Sequence, residues 1–316
     1  MNGIQVGQES DWQGGTGCTV VLCPDGSVCS CDIRGGAPGT RETDLLNPVN
    51  AVQGFNALVF SGGSAYGLES SHGVMEYLEE NNTGIITPSG IVPIVSQAIL
   101  YDLDVIDNKV RPDSKMGKKA VKKAKEENGY IEEGSFGAGT GATVGKILGT
   151  KNSTKGGIGT FSTKISREVK VGALVVVNSF GDVISEVGNI LAGPRKSNND
   201  FVSTIDVLEG SDGGGGFGGL GVNTTLACVA TDASLDKSQA KKIAQSAHNG
   251  IARAIRPSHT MFDGDSVFTI STGEKKDCTV DINLLGYYAA LTVEKSIRNA
   301  ISNAKGIGGI PAYSEI

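Results

Sequence analysis

Short apolar runs, each bounded by Gly, Pro, Asn or Asp, recur along the chain and predict strands at 19–22, 27–33, 57–60, 171–177, 183–187, 226–231 and 267–271. Between them the apolar positions change to helical spacing. Leu68, Val74, Met75 and Leu78 mark a helix over 65–80 that stops at Asn81-Asn82-Thr83-Gly84. The clearest helix covers 237–255, with Ala240, Ile243, Ala244, Ala247, Ile251, Ala254 and Ile255 on one face. Asp236 and Gln239 have the spacing of a capping box, and Pro257 closes the segment. A last helix over 284–303 buries Leu285, Tyr288, Leu291 and Ile297. Strands and helices alternate over the whole length without an internal repeat, which predicts an α/β protein folded as one αββα-layered domain over 1–316. The one linker-like stretch, 211–219, leads to Asn223 and has no evident role as a spacer between domains.

Composition narrows the function classes. At 316 residues and 39% hydrophobic content the chain can bury a sizeable core. Its net charge of −6 has no long block of one sign, and the basic stretch 115–125 is interrupted by Ala120, Val121 and Ala124, the pattern of a solvated helix face. Nucleic acid is therefore not an expected partner. The first ten residues lack an apolar signal core and no run of membrane-spanning length occurs, so no membrane association and a cytoplasmic location are expected. Six cysteines (Cys18, Cys23, Cys29, Cys31, Cys228, Cys278) are too few for a disulfide scaffold and lack zinc spacing, which leaves buried thiols and no metal site. The 46 glycines gather in short turns beside apolar runs and point to close backbone approaches.

The chemistry centres on Asn223-Thr224-Thr225, where a hydroxyl residue opens the apolar strand that follows the glycine run 213–219. Cleavage between Asn223 and Thr224 places a hydroxyl and a free α-amine on one Cα. Such an amine titrates near ~7.7 to 8.0 and can take the hydroxyl proton during attack on a carbonyl. The competing interpretation is plain β propensity after a loop. The segment 137–146 suggests phosphate binding but fails in detail, because Thr140 stands where a P-loop needs Gly and Ile147 where it needs Ser or Thr. What remains is Lys146 at the end of a glycine-rich loop. Asn178 ends the apolar run 171–177, where its amide could serve a developing oxyanion or its own turn. Asp263 and Asp265, spaced by Gly264 and preceded by His259-Thr260, could hold an ammonium group or orient a hydroxyl, or simply form a turn. His72, His248 and His259 show no Ser-His-Asp order.

Five phrases in order then resemble one family: Gly15-Thr16-Gly17-Cys18-Thr19-Val20, Arg34-Gly35-Gly36-Ala37-Pro38-Gly39-Thr40, Ser61-Gly62-Gly63-Ser64-Ala65-Tyr66-Gly67-Leu68, Asn223-Thr224-Thr225, and His259-Thr260 with Asp263-Gly264-Asp265. They are similar to the DmpA family of self-processing aminopeptidases, which includes L-aminopeptidase/D-amidase-esterases, β-peptidyl aminopeptidases and nylon-oligomer hydrolases. The resemblance implies an αββα sandwich like that of N-terminal-nucleophile hydrolases, with the different connectivity shared with ornithine acetyltransferase. It implies autocleavage between Asn223 and Thr224 into chains 1–223 and 224–316 that stay associated. Thr224 is then the nucleophile, Asn178 an oxyanion donor, Lys146 a charged group near the nucleophile, and Tyr66 a hydroxyl lining the site. Asp263, Asp265 and the threonine nucleophile stand where the best-known aminopeptidases have Ser, Glu and Ser, and so resemble the nylon-oligomer branch. The expected function is a cofactor-free amidohydrolase that cuts itself and then removes N-terminal residues from small peptides, amides or esters, as a homo-oligomer of processed heterodimers. An acyltransferase of the ornithine acetyltransferase type and an uncleaved small-molecule binding protein are the alternatives.

Overall fold

A computed structural model describes residues 1–126, 130–165, 169–196, 200–210, 222–275 and 280–316. The glycine run 213–219, the linker-like 211–219 and Cys278 lie outside these residues.

Val20 and Val21 show what decides the architecture, because neighbouring strand residues point to opposite faces and both faces here are apolar. Val20 packs with Cys18, Leu22, Ala57 and Val59 against Val74, Leu78, Ala120, Val121 and Ala124 of one helix pair. Val21 turns the other way and joins Leu58 and Phe60 in a core between two sheets. The second sheet repeats the division: Val171, Ala173, Val175 and Val177 face a second helix pair, while Leu174 and Val176 face inward. Two sheets buried on both faces require a helical layer outside each, which is the expected αββα sandwich.

The first sheet has the order Gln5–Asp11, Thr16–Leu22, Ala57–Ser61, Val95–Ile99, Thr40–Arg41, and the second Gly157–Ile165, Val169–Asn178, Thr224–Ala233, Ser266–Lys275, Val28–Ile33. Each contains one parallel pair, Ala57–Ser61 with Val95–Ile99 and Thr224–Ala233 with Ser266–Lys275; the other pairs are antiparallel. Helices Ser70–Glu80 and Ser114–Glu126 cover the first sheet, and Lys237–Ala254 and Ile282–Ser302 the second. Asp236 and Gln239 form the capping box expected of them.

Two expected elements are shorter. The helix over 65–80 divides into a 3-10 segment, Ser64–Glu69, and an α-helix, Ser70–Glu80. The break follows from the Gly67 carbonyl, which accepts from the Ser61 and Ser70 hydroxyls and the Gln97 amide, so side chains compete for a helix acceptor. The strand at 183–187 is only Asp182–Ile184, because Ser185 to Asn189 close a turn in which the Ser185 N–H donates to the Asn189 carbonyl and the Asn189 N–H to the Ser185 hydroxyl. Cys18, Cys29, Cys31 and Cys228 are buried thiols; burial pushes Cys31 up to about 11 and Cys18 up to about 12.

Candidate active site

Strand register brings the chemistry-bearing residues together at one end of the second sheet. Asn178 is the last residue of its strand and Thr224 the first of the next, and the antiparallel ladder sets them opposite each other. Asn223 makes an isolated parallel bridge with Asp263. The N–H of Gly264 donates to the Asn223 carbonyl oxygen at 2.9 Å. The Thr224 hydroxyl donates to the same oxygen. The carbonyl of the 223–224 peptide therefore carries a backbone donor and the hydroxyl of the residue that follows it. A Cβ built on Gly264 would lie 2.8 Å from Thr224 Oγ1, closer than real Cβ contacts come, so glycine is what lets N–H and hydroxyl share this space. Thr224 itself is 2% exposed.

Asn178 has both ends of its side-chain amide engaged, by three backbone groups and one lysine. Its Oδ1 accepts from Thr143 N–H at 2.9 Å and Lys146 Nζ at 3.0 Å, and its Nδ2 donates to Tyr101 O at 3.2 Å and Val222 O at 3.3 Å. In the uncut chain its amide thus serves the Val222 carbonyl, one residue before Asn223, as well as that of Tyr101. Lys146 follows Gly145, whose φ of 75° admits a residue without Cβ, and its Nζ reaches Thr143 O at 2.8 Å, Thr143 Oγ1 at 3.1 Å and Asn178 O at 3.2 Å. Burial pulls the Lys146 amine down to about 7. Through these bonds Lys146 is coupled to Thr224 by way of Asn178.

The two aspartates, both buried, hold different parts of the site. Asp263 Oδ1 accepts from Phe180 N–H at 3.2 Å, and its Oδ2 accepts from Thr260 N–H at 3.1 Å and Thr260 Oγ1 at 2.5 Å. Burial, then the neighbouring Asp265 charge, push the Asp263 carboxyl up to about 6. Asp265 Oδ1 accepts from Thr225 N–H at 2.7 Å, and Oδ2 from His259 N–H at 3.0 Å, with His259 Nδ1 at 2.8 Å. Tyr66 is 59% exposed, with the Arg111 guanidinium 3.6 Å over its ring.

Four contributors were not visible in the sequence. Gly264 acts through its backbone, and Thr143 acts as a partner of Lys146 and Asn178. Lys155, fully buried, donates to Gly139 O, Ala142 O and Gly156 O at 2.8, 2.7 and 2.9 Å, and so pins the 137–146 loop. Burial pulls its amine down to about 7. Asp102 accepts from Thr16 Oγ1 and Gly63 N–H, both at 2.7 Å, and burial pushes it up to about 6. Nothing in their neighbouring residues signals this; only the closed fold brings a lone lysine to three carbonyls. Among the described residues no group of His, Cys, Asp and Glu is arranged to hold a metal ion, and no helix is long and apolar enough to cross a membrane.

An αββα sandwich with a threonine at the head of a central strand, its hydroxyl on the preceding carbonyl, is the layered frame expected of N-terminal-nucleophile hydrolases. The chain belongs to peptidase family S58, which it matches over residues 1–313. It is 37% identical to an uncharacterized aminopeptidase of Mycobacterium leprae (strain TN), over 99% of this chain and 92% of that protein. It is 28% identical to the 6-aminohexanoate-oligomer endohydrolase of Paenarthrobacter ureafaciens, over 86% of this chain and 74% of that one. In fold it is similar to the L-aminopeptidase D-Ala-esterase/amidase of Ochrobactrum anthropi, described as a variant among the Ntn hydrolase fold (TM-score 0.71, 19% identity, 98% of this chain and 87% of that one). It is also similar to a beta-aminopeptidase of Burkholderia sp. (TM-score 0.69, 20% identity, 99% and 88%). The resemblance carried by the five phrases and the expected sandwich are both borne out, and the chain is a peptidase or amidohydrolase of the aminopeptidase kind.

Proposed function

We propose that this chain is a precursor that cuts itself between Asn223 and Thr224 and then uses Thr224 to hydrolyse N-terminal residues from small peptides, amides or esters. The observation that carries it is the buried Thr224 hydroxyl resting on the Asn223 carbonyl oxygen, with the Gly264 N–H on the same oxygen. In the intact chain the first carbonyl this hydroxyl meets is that of the residue before it, Asn223.

In self-cleavage Thr224 Oγ attacks the Asn223 carbonyl carbon, and the negative charge that develops on the oxygen is met by the Gly264 N–H. The C–N bond breaks, the hydroxyl proton ends on the Thr224 nitrogen, and the two residues are joined by an ester. Water hydrolyses that ester to an Asn223 carboxylate and a free Thr224. In turnover the new amine takes the Oγ proton, Oγ attacks the substrate carbonyl, and the substrate amine leaves with a proton. Water then resolves the acyl-enzyme. Departure of the 222–223 end removes the Val222 carbonyl that Asn178 Nδ2 engages, which frees that amide for the substrate oxyanion. Lys146 holds Asn178 in place, and Asp263 and Asp265 hold the backbone on either side.

Sheet pairing supports continued association of the two pieces. The Thr224–Ala233 strand pairs with Val169–Asn178 of the 1–223 piece, and Ser266–Lys275 pairs with Val28–Ile33 of that same piece. A role for Tyr66 at the substrate mouth, a single domain over 1–316, a homo-oligomer of processed heterodimers and a cytoplasmic location belong to this proposal on the strength of the sequence alone. The amide class of the substrate is supported by the names of the aminopeptidase and 6-aminohexanoate-oligomer relatives.

The test is intact mass under denaturing conditions, with β-alanyl and 6-aminohexanoyl amides as hydrolysis probes. The wild-type chain should appear as 1–223 and 224–316, and Thr224→Ala should stay whole and inactive. A folded wild-type chain that never splits contradicts the proposal.

A further inference from the structure

We propose that His259 is the positioning residue of the nucleophile: through Asp265 it fixes the strand end on which Thr224 stands. This rests on the self-cleaving function proposed above.

The reason lies in how the Thr224–Ala233 strand begins. On one side Thr224 and Thr225 are paired with Asn178 and Val177. On the other side the parallel ladder with Ser266–Lys275 starts only at Leu226, so Thr225 has no strand partner there. The Asp265 carboxylate takes the place of the missing rung, with Oδ1 2.7 Å from Thr225 N. A carboxylate can rotate about its last bond, and this one is held at its far oxygen by two groups of a single residue, the N–H of His259 at 3.0 Å and Nδ1 at 2.8 Å. With both oxygens occupied, the position of the Thr225 amide, and therefore of the Thr224 hydroxyl one residue away, depends on the imidazole.

Two features of His259 are costly for a side chain serving only stability. Its φ is 58°, the left-handed region that non-glycine residues seldom enter. Its Nε2 is buried without a hydrogen-bond partner among the described residues, and its ring makes an edge-to-face contact with His248, centroids 4.7 Å apart, whose Nδ1 is likewise buried and unpartnered among them. His248 in turn is held by its Nε2 to the Asp32 carbonyl at 2.9 Å. The imidazole is thus wedged in place from behind and uses its one engaged nitrogen on Asp265.

The backbone conformation supplies the test, because Asn and Gly both tolerate positive φ but only Asn keeps an N–H donor near the Nδ1 position. The full chain and the variants H259N and H259G are made in a cell-free reaction, and self-cleavage is followed on denaturing gels alongside the melting temperature. H259N should cut within about threefold of wild type, and H259G about 10- to 100-fold more slowly, the scale expected for a misplaced reacting group. Equal rates for the two variants, whether both fast or both slow, overturn the proposal, as does a slowing that merely follows a fall in melting temperature in both. If H259G does not fold, H259S, whose hydroxyl is too short to reach Asp265, takes its place. A wild-type chain that does not cut fails at the earlier step and is recognised as such by its own lane.

Discussion

The N–H of Gly264 points at the carbonyl oxygen of Asn223, 2.9 Å away, in a chain where the peptide bond after Asn223 is still intact. Because the Thr224 hydroxyl sits on that oxygen too, the donor is aimed at the atom that gains charge in the proposed attack of the hydroxyl. A methyl group at residue 264 would stand 2.8 Å from Thr224 Oγ1 and 3.0 Å from the Ala37 carbonyl, and would force donor and hydroxyl apart. Gly264 is not in a left-handed conformation, so alanine meets no backbone penalty there. Gly264→Ala should therefore fold and slow self-cleavage by roughly 100- to 1,000-fold, the usual cost of losing one oxyanion donor. A gel time course of freshly made chain checks this, and an unchanged rate removes Gly264 from the mechanism.

Asn178→Asp separates the two jobs assigned to the Asn178 amide. Its Oδ1 contacts to Thr143 and Lys146 survive, but the Tyr101 and Val222 carbonyls lose their donor and face a second carboxylate oxygen, so the melting temperature should fall and the rate is read where the variant is still folded. The Nδ2 donors to Tyr101 and Val222 are lost, and with them the oxyanion donor proposed for the cut enzyme. Hydrolysis of an aminoacyl amide by the processed form should fall about 100-fold or more. A variant that turns over at the wild-type rate assigns the oxyanion to another donor.

How far all this could be read in the residues differs from element to element. The Lys237–Ala254 helix was legible because its apolar face, its Asp236 and Gln239 cap and its closing proline all agree locally. Strands built on a continuous apolar run, such as Val169–Asn178 with its stretch from Val171 to Val177, were legible for the same reason. The Gln5–Asp11 strand was not: it shows Gln5, Gln8, Glu9, Ser10 and Asp11, and owes its place to pairing with Thr16–Leu22. Gly157–Ile165 was missed because Gly157 and Gly159 look like loop residues, whereas they let the strand lie against the backbone of the Ile282–Ser302 helix. In the site, Thr224 and Asn178 were legible as residue types at strand ends. Their opposition was not, since it depends on a register between segments more than forty residues apart. Asp263 and Asp265 fitted a turn as well as a site, and only the closed structure shows them reaching Phe180 and Thr225.

Asp263 predicts an acid limb in the pH profile. Its carboxyl accepts from Phe180 N–H and from the Thr260 N–H and hydroxyl, an arrangement that suits the ionised form, and burial and the Asp265 charge raise it to about 6. Hydrolysis, which already declines below about 8 as the proposed Thr224 amine gains its proton, should fall more steeply as the pH drops through about 6, and Asp263→Asn should show a low rate without that second step. Unfolding is not the cause of the fall. A carboxyl raised in the fold binds its proton more readily there than in the open chain, so between about 4 and 6 its contribution to stability grows as the pH is lowered; Asp102, also raised to about 6, acts in the same direction. Melting curves at pH 5 and 7 separate the two, and a loss of activity that coincides with melting rejects the assignment to Asp263.

Lys155 predicts the opposite sign on the alkaline side. In the fold its amine is pulled down to about 7 by burial, whereas in the open chain it keeps its proton up to the ordinary value of 10.5. Between those values the unfolded state binds the extra proton, so the free energy of unfolding rises with pH by about 1.4 kcal/mol per unit from this one group. Lys155→Met removes that rise. It also strips Gly139 O, Ala142 O and Gly156 O of their donor, which serves all three as the ammonium and two at a time as the neutral amine, leaves them in a buried interior, and should cost roughly 2 to 4 kcal/mol at pH 7. The measurement is urea unfolding of both proteins at pH 7.5 and 9, carried out on Thr224→Ala so that each chain stays in one piece. The gap between them should widen by about 2 kcal/mol over that interval. Parallel curves would mean that Lys155 keeps its charge inside the fold, held there by the three carbonyls with Asp102 nearby, and that the 137–146 loop is anchored by a cation and not by a neutral amine.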